Sequence, residues 1–536
     1  MAPPRPLQAE LIGAQPVWLL TITWRGKVYR WSTQRVEITT DAGETLLYPG
    51  GLAQSVMEEA LSEGSISSAT IPLRVIFEED LIAASVRGHR LSTASGCLDM
   101  VSTRDMRTAV QTWEGRYRYI QGRVVSPEIA AVGQPRGLAT FSLETTAGQD
   151  QGRILPPAAA ISSTVWLSCR TGVEGKVIPK VFGAPGSYLR SGVAGGTSGS
   201  PAYAVDDTSG SANTLAVAWG HVSASTATIF ADDNSGFTGT LVKDFDNLGN
   251  AVTTVDISGK SAAIRQSEGF WVGWTDGPAA VLPYADTDHM GAGDILRYLW
   301  TASTLPVDHG AWAAAAEALN GIQLAFYVND LDVSPSEWVL GNTSNLLPVE
   351  LILGADGITP VVDEVEVSAV GCRHVVEGPD FLWVGPLTED RTTADIISSY
   401  SLRFAARART GDYKRTITIA SEAADGAVYE ALSMVDADLM GATGAAEVRE
   451  TKIIYDDVAA GRVARYRARR MATISQGGTF SAAQHHGWLS PGDRFAVTSE
   501  TLGVTNLVTQ VRTKRWTGSR WVYGVRWDYG LSGPRR

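Results

Sequence analysis

Trp18, Leu20, Ile22 and Trp24 alternate with Leu19, Thr21 and Thr23, and a period of two predicts a half-buried β-strand. Arg25-Gly26 predicts a tight turn into a second strand over Lys27–Trp31, forming a hairpin. Val36–Thr40 reads as a strand closed by Asp41-Ala42-Gly43, and Ser65–Phe77 continues the pattern with Pro72 marking an edge or a bulge. A further hairpin is predicted around Trp113–Val125, and Pro156-Pro157 marks a boundary. From Val165 to about Ser258 the chain is rich in Gly, Ser, Thr, Ala and Asp, with short β-like runs between turns such as Asp206-Asp207 and Asp232-Asp233-Asn234. This reads as a small β domain with long loops. No repeat of fixed period appears, which argues against a solenoid or propeller.

The period changes between 290 and 350. Asp294 opens a run with Ile295, Tyr298 and Leu299 on one helical face. Asp308 is placed to cap Ala311–Leu319, which Asn320-Gly321 ends, and Ser334-Pro335-Ser336-Glu337 is a capping box with proline at the first helical position. Val349–Leu353 and Ile358–Val362 predict strands joined by Ala355-Asp356-Gly357. Asp456-Asp457 can cap a helix over Val458–Met471, with acids first and arginines last as the helix macrodipole favours. Strands are expected near Phe495–Thr498 and Val508–Trp516, then a turn at Gly518. Trp521, Tyr523, Val525, Trp527 and Tyr529 follow in strict alternation, the mark of a packed sheet or barrel.

Composition narrows the class. The 536 residues are too many for one core, and three or four domains are expected. With 44% apolar and 19% charged residues the chain is an ordinary folded one, and no apolar run reaches membrane-spanning length. Its 45 basic and 57 acidic residues give a net charge of −12, which argues against a DNA-coating role. The start, Met1-Ala-Pro-Pro-Arg-Pro, has no apolar stretch of the Sec type. Cys97, Cys169 and Cys372 are far apart, which predicts small buried hydrophobes and reducing conditions rather than disulfides or a zinc ribbon. The 16 Trp against 12 Phe are expected to serve partly at an assembly surface.

Candidate chemistry is sparse. Gly196-Thr197-Ser198-Gly199-Ser200-Pro201 resembles the nucleophile loop of trypsin-like viral serine proteases, with Ser198 as nucleophile. One histidine precedes it, His89, flanked by Arg87 and Arg90, whose charges oppose the imidazolium a triad needs; Asp99 and Asp105 are available third members. The plain reading is a flexible Gly/Ser loop. His485-His486 point to opposite faces of a strand, and His221, His289, His309 and His374 are isolated, so no metal site is expected. Asp244-Phe-Asp246-Asn247-Leu-Gly249-Asn250 suggests a calcium loop but lacks the distal Glu, so it reads as a polar turn. No nucleotide fingerprint occurs, no carboxylate pair stands out for glycosidase chemistry, and no cofactor is expected. Two basic clusters remain: Arg462, Arg465, Arg467, Arg469 and Arg470 on one helix, and Arg512, Lys514, Arg515, Arg520, Arg526, Arg535 and Arg536 in the tail. They read as a solvated face or intersubunit ion pairs, with sequence-independent phosphate contact the sharper alternative.

A resemblance organises these features. Val17–Trp31 followed by Glu37–Thr40 and Tyr48-Pro-Gly-Gly51 resembles the start of tail-tip hub proteins of long-tailed phages and gene transfer agents. Gly175-Lys-Val-Ile-Pro-Lys-Val-Phe-Gly183 is similar to a run in several such proteins. The order Gly293–Leu299, Leu305-Pro-Val-Asp308, Ala311-Trp312, Leu319-Asn320, Pro335–Trp338, Asn345–Pro348 and Gly354–Pro360 matches their central module, and Leu489-Ser-Pro-Gly-Asp493 their closing barrel. The stretch 184–258 departs from the short connections of the family.

The resemblance implies a mainly β, multidomain chain with tube-like antiparallel β-barrel domains, α+β insertions and a small helical module. The expected division is 1–160 (N-terminal tube-like domain), 161–260 (small Gly/Ser-rich β domain), 261–370 (α+β module) and 371–536 (C-terminal barrel with one Arg-rich helix). It implies a baseplate hub in the virion, assembled in the host cytoplasm: a homotrimer presenting a pseudo-sixfold collar, with two barrels per chain. The implied partners are the distal tail protein ring, a downstream fibre, spike or second hub protein, the tape measure protein, and genome DNA in transit without specific binding. No catalytic residue is implied. A tail-associated hydrolase or protease using Ser198, and a host-receptor-binding tip built on 184–258, are the alternatives.

Overall fold

The computed structural model describes residues 15–40, 42–53, 57–60, 70–77, 90–103, 110–112, 116–130, 137–144, 150–155, 160–190, 193–233, 235–274, 291–354, 357–363, 372–389, 397–420, 430–435, 445–472, 475–482, 489–517 and 520–528. The chain is mainly β and multidomain.

The first third forms a curled sheet. Its strands are β1 (Gln15–Trp24), β2 (Lys27–Ser32), β3 (Val36–Thr39), β4 (Thr45–Tyr48), β5 (Leu52–Ala53), β6 (Met57–Ala60), β7 (Thr70–Phe77), β8 (Ser95–Thr103), β9 (Val110–Thr112), β10 (Arg116–Ala130) and β11 (Gly137–Glu144). The sheet order is β2-β1-β8-β10-β11-β7-β5, and a bridge between Ser32 and Gly51 joins the last edge to the first, so the sheet is nearly a closed barrel. The β1–β2 turn is the expected Arg25-Gly26, both with positive φ. On β1, Trp18, Leu20, Ile22 and Trp24 face the interior core, while Val17 and Leu19 pack on the outer layer of β3 and β4. Pro72 lies on β7 beyond the two residues that pair with β5, where no ladder donor is needed from it on that side. Of the hairpin expected around Trp113–Val125, the described residues 116–125 all belong to one strand, β10, whose register shifts between Arg118 and Ile120 and again between Val125 and Glu128. Gly122 does not turn the chain: it pairs with Gly96, where a Cβ would stand 2.8 Å from the Ile22 side chain.

The middle of the chain holds β12 (Lys180–Phe182), β13 (Ser187–Arg190) and β14 (Val193–Gly196), then a closed six-stranded barrel. Its strands are β15 (Ser200–Thr208), β16 (Ser211–Trp219), β17 (Thr226–Ala231), β18 (Gly236–Phe245), β19 (Ala251–Asp256) and β20 (Phe270–Gly273), all antiparallel, in the order β15-β16-β19-β18-β17-β20. Small and branched side chains such as Ala202, Ala204, Val217, Ile229, Val255 and Val272 fill it. A six-stranded barrel is narrower than the roughly eight strands at which side chains just fill the interior, so Ala and Val suit it and it is solid. The small β domain with long loops expected here thus holds a closed barrel.

Next come helices α1 (Ala292–Ala302), α2 (His309–Leu319) and α3 (Pro335–Thr343), β21 (Phe326–Val328) and the hairpin β22 (Val349–Gly354)–β23 (Gly357–Val362). The caps are those the sequence predicts: Asp308 accepts from the Ala311 N–H at 3.0 Å and Ser334 from Glu337 at 3.2 Å. Gly293 lets α1 approach α2, since a Cβ there would stand 2.3 Å from the Ala316 Cα.

The last third contains β24 (Arg373–Val376), β25 (Phe381–Trp383), β26 (Thr388–Glu389), β27 (Ile397–Ala406), β28 (Tyr413–Ala420), β29 (Glu430–Val435), β30 (Ala445–Glu450), helix α4 (Asp457–Ala472), β31 (Ser475–Ala482), β32 (Arg494–Ser499), β33 (Val504–Trp516) and β34 (Trp521–Asp528). The second near-closed barrel is β24-β32-β33-β34-β31-β25, with Glu377 bridging to Phe381 across the seam. As the alternation requires, Trp521, Tyr523, Val525 and Trp527 are buried in its core. Between β25 and β31 the chain makes a four-stranded sheet, β29-β28-β27-β30, on which α4 packs through Ala460, Ala464 and Ala468. Its β28–β29 and β27–β30 pairs are parallel and its β27–β28 pair antiparallel.

Besides the interior of the middle barrel and the small outer layer of β3 and β4, two larger cores join elements across the described residues. One joins α1–α3, the β22–β23 hairpin, the four-stranded sheet and α4 to the outer face of the middle barrel. The other runs through both terminal barrels, where Trp18 meets Trp521 edge to face at 6.3 Å. Strand β6, from the N-terminal barrel's sequence, pairs with β33 through Thr513–Trp516 and extends the C-terminal sheet.

Candidate functional site

The C-terminal barrel is fastened to the β22–β23 hairpin and to α4 by a buried ionic junction. Glu350 on β22 and Asp363 just after β23 are 3% and 8% exposed. The Arg512 Nη1 of β33 donates to both oxygens of Glu350 at 2.8 and 2.6 Å. Arg470 of α4 lies 3.7 Å from each carboxylate, the Arg494 guanidinium of β32 donates to Asp363 at 3.4 Å, and the Tyr466 hydroxyl donates to Asp363 at 2.9 Å. Burial, helped by the Asp363 charge and opposed by Arg470, pushes the Tyr466 phenol well up, so it stays a neutral donor. Three stretches of the chain, 350–363, 466–470 and 494–512, thus share one set of charges. Breaking such a set leaves an uncompensated buried ion, which costs roughly 3–5 kcal/mol.

This junction revises the reading of the basic clusters. Arg470 and Arg512 belong to ion pairs within the chain, not to a solvated face, and Arg462 donates to the Gly321 carbonyl at 2.6 Å. Their counterions lie more than a hundred residues away from most of them, which is why no spacing in the sequence pointed to the pairing. The Leu489–Asp493 turn docks here too: the Asp493 carboxylate accepts from the Ser490 N–H at 2.8 Å, and a Cβ on Gly492 would stand 2.6 Å from Val361.

Ser198 serves a second junction. The Gly186 carbonyl accepts from Thr197, the Gly199 N–H donates to Val272, and the Ser198 carbonyl accepts from Ala408 at 2.6 Å. The Ser198 hydroxyl accepts from the Arg409 N–H at 3.3 Å, and the Arg409 guanidinium donates to the Asp232 carbonyl and lies over Trp271. Ser198 is 8% exposed. The stretch is a buried clip between the middle barrel and the β27–β28 turn, not the flexible loop expected. Asp99, 1% exposed, is committed to Arg118 at 2.9 Å across β8–β10.

A third fastening is Asp150. Its carboxylate accepts from Gly152, Thr304 and Ser336 N–H groups at 2.8, 2.9 and 3.0 Å. Burial works to raise this carboxyl, but those donors outweigh it and hold it below the usual range.

The remaining candidates are ordinary structure. Asp246 closes a polar turn by accepting from the Leu248 and Asn250 N–H groups at 2.9 and 2.8 Å. His221 bonds the Asp244 carbonyl at 3.0 Å and His374 the Thr498 hydroxyl at 2.8 Å. Among the described residues no group of His, Cys, Asp and Glu is placed to hold a metal ion, and no helix is long and apolar enough to cross a membrane. The three cysteines form no disulfide and are half-buried rather than core residues. Cys97 shares its face of β8 with Asp99, whose carboxylate accepts from its thiol at 3.7 Å. Six tryptophans, Trp18, Trp24, Trp274, Trp300, Trp312 and Trp521, are at most 2% exposed and build the cores. His89, Asp105, Trp113, His289, His485, His486, Gly518, Tyr529, Arg535 and Arg536 lie outside the described residues.

No protein-family model matches the chain, and no curated protein does. Several solved structures are similar to it. The tail protein from Neisseria meningitidis MC58 is 9% identical with a TM-score of 0.36, over 96% of this chain and 99% of that one. The 43 kDa tail protein of prophage MuSo2 from Shewanella oneidensis is 9% identical with a TM-score of 0.33, over 94% and 95%. A chain of a native gene transfer agent virion is 16% identical with a TM-score of 0.21, over 52% and 86%. Scores this low carry no geometric argument, although these structures name the kind of protein that the sequence motifs resemble.

Proposed function

We propose that the chain is a structural subunit of a phage-type tail: a baseplate hub that assembles as a homotrimeric ring at the tail tip. The observation that carries this reading is the pair of near-closed terminal barrels, which share one core and are stitched together by β6 on β33. Two such barrels fixed side by side in each of three copies make a ring of six, matching a sixfold ring above. The ordered sequence motifs support the same reading. Symmetric closure also buries sheet edges that would otherwise invite aggregation.

In this role the chain works mechanically. The ionic junction, the Ser198 clip and Asp150 hold the barrels, the helical module and the middle barrel in register. The ring joins the distal tail protein to a fibre, spike or second hub protein, meets the tape measure protein, and leaves an axis through which DNA passes. Excess acid weakens nonspecific adhesion of DNA. Ser198 is assigned to packing, and no residue to catalysis.

The position is tested by immunogold electron microscopy of particles bearing this chain. Label confined to the tail tip is expected; label along the tube, on the head, or absent from intact particles overturns the reading.

A further inference from the structure

Two exposed apolar clusters stand on different parts of the chain. On the middle barrel, Phe245, Leu248 and Leu167 are 58%, 61% and 81% exposed. They are held in place: the Asn247 N–H donates to the Val165 carbonyl at 3.2 Å, Asp246 closes the turn, and the His221 ring meets Phe245 edge to face at 5.1 Å. A fixed apolar tip exposed to water costs free energy unless something covers it. The span 200–273 carries eight acidic against three basic residues.

The second cluster is on the outer face of the C-terminal barrel. Leu382 and Val384 are 50% and 54% exposed, whereas Leu387 turns to the inward side, where a Cβ on Gly478 would stand 3.1 Å from it. Leu382 lies in one cross-strand row with Ser481, Val522 and Arg515. Arg526 stands on the same outward face opposite Gly477, since Trp521, Tyr523, Val525 and Trp527 point inward.

We infer that these two surfaces bind each other between copies of this chain: the acidic, apolar tip of one middle barrel seats on the arginine-flanked apolar face of the next copy's C-terminal barrel. Pairing the tip with itself would bring two acidic barrels together, so like-with-like contact is disfavoured and unlike-with-unlike contact favoured. A contact between different surfaces is head-to-tail, which is what closes a ring. The inference rests on the ring reading above and names the contact that would close it.

The test uses the full chain and its assembly state by mass photometry. Phe245→Asp/Leu248→Asp and Leu382→Asp/Val384→Asp change exposed side chains, so circular dichroism should match the parent; Leu167→Asp provides a third, independent lesion of the tip. Each variant alone should associate at least about tenfold more weakly. Mixing a tip variant with a face variant should restore one contact and give a heterodimer that cannot close. Rings that persist in the variants, or a mixture that stays monomeric while the parent forms rings, overturn the contact and leave the ring reading intact. A parent chain that never forms rings overturns the ring reading itself.

Discussion

Single side chains in this molecule act mainly as fasteners. Glu350 shows the size of the effect: replacing it with Ala removes the carboxylate shared by Arg512, 20% exposed, and Arg470, 9% exposed, and a loss of up to roughly 3–5 kcal/mol is expected. The urea midpoint for separation of the C-terminal barrel should fall accordingly. In a double-mutant cycle with Arg512→Ala the two losses should couple by about 1 kcal/mol or more; strict additivity would contradict a shared junction. Asp150 makes a pH prediction. Its pKa is lowered in the folded state, so its contribution is present above the ordinary carboxylate range, near pH 3.9, and is lost as pH falls through the depressed value. Amide exchange at Thr304 and Ser336 should therefore stay slow down to about pH 4 and accelerate, beyond the intrinsic chemical rate, only in stronger acid. In Asp150→Ala it should be fast throughout, and equal protection in both proteins would remove Asp150 from this role.

At the scale of elements, the clip around Ser198 depends on backbone contact. A Cβ on Gly199 would stand 2.0 Å from the Pro185 carbonyl oxygen, whereas Gly210, also in a turn, has nothing within 4 Å. Gly199→Ala should therefore cost about 1–3 kcal/mol by overpacking and expose the β13–β15 region to limited proteolysis. Gly210→Ala should cost only the about 1 kcal/mol of its left-handed backbone. Equal proteolysis of both variants would show that the clip is not packed. Features of this kind divide sharply in how well sequence reveals them. Asp308, Ser334 and Asp456 were legible as caps because a cap bonds a backbone N–H only three residues on. The inward face of β34 was legible because alternation is local. The β6–β33 pairing was not, since its halves are more than four hundred residues apart and β6 has no pattern of its own. Nor was closure of the middle barrel, because periodicity describes a strand's faces and not its neighbours. Ser198 and Arg470 were misread for the same reason: their partners, Arg409 and Glu350, lie in other parts of the chain.

For the whole molecule, the central claim is that two near-closed barrels, locked side by side in each chain, are the building blocks of a hollow ring. The β6–β33 pairing and the shared core join the two barrels, so in the proposed ring symmetry would act on both together. Electron cryo-microscopy of the purified full chain with its distal tail ring tests this most directly. The account predicts a threefold ring of six barrels around an open or plugged axis, with the middle barrels outside it. A particle with one chain only, or a ring whose wall is built from the middle barrels while the terminal barrels lie apart from the axis, would contradict it.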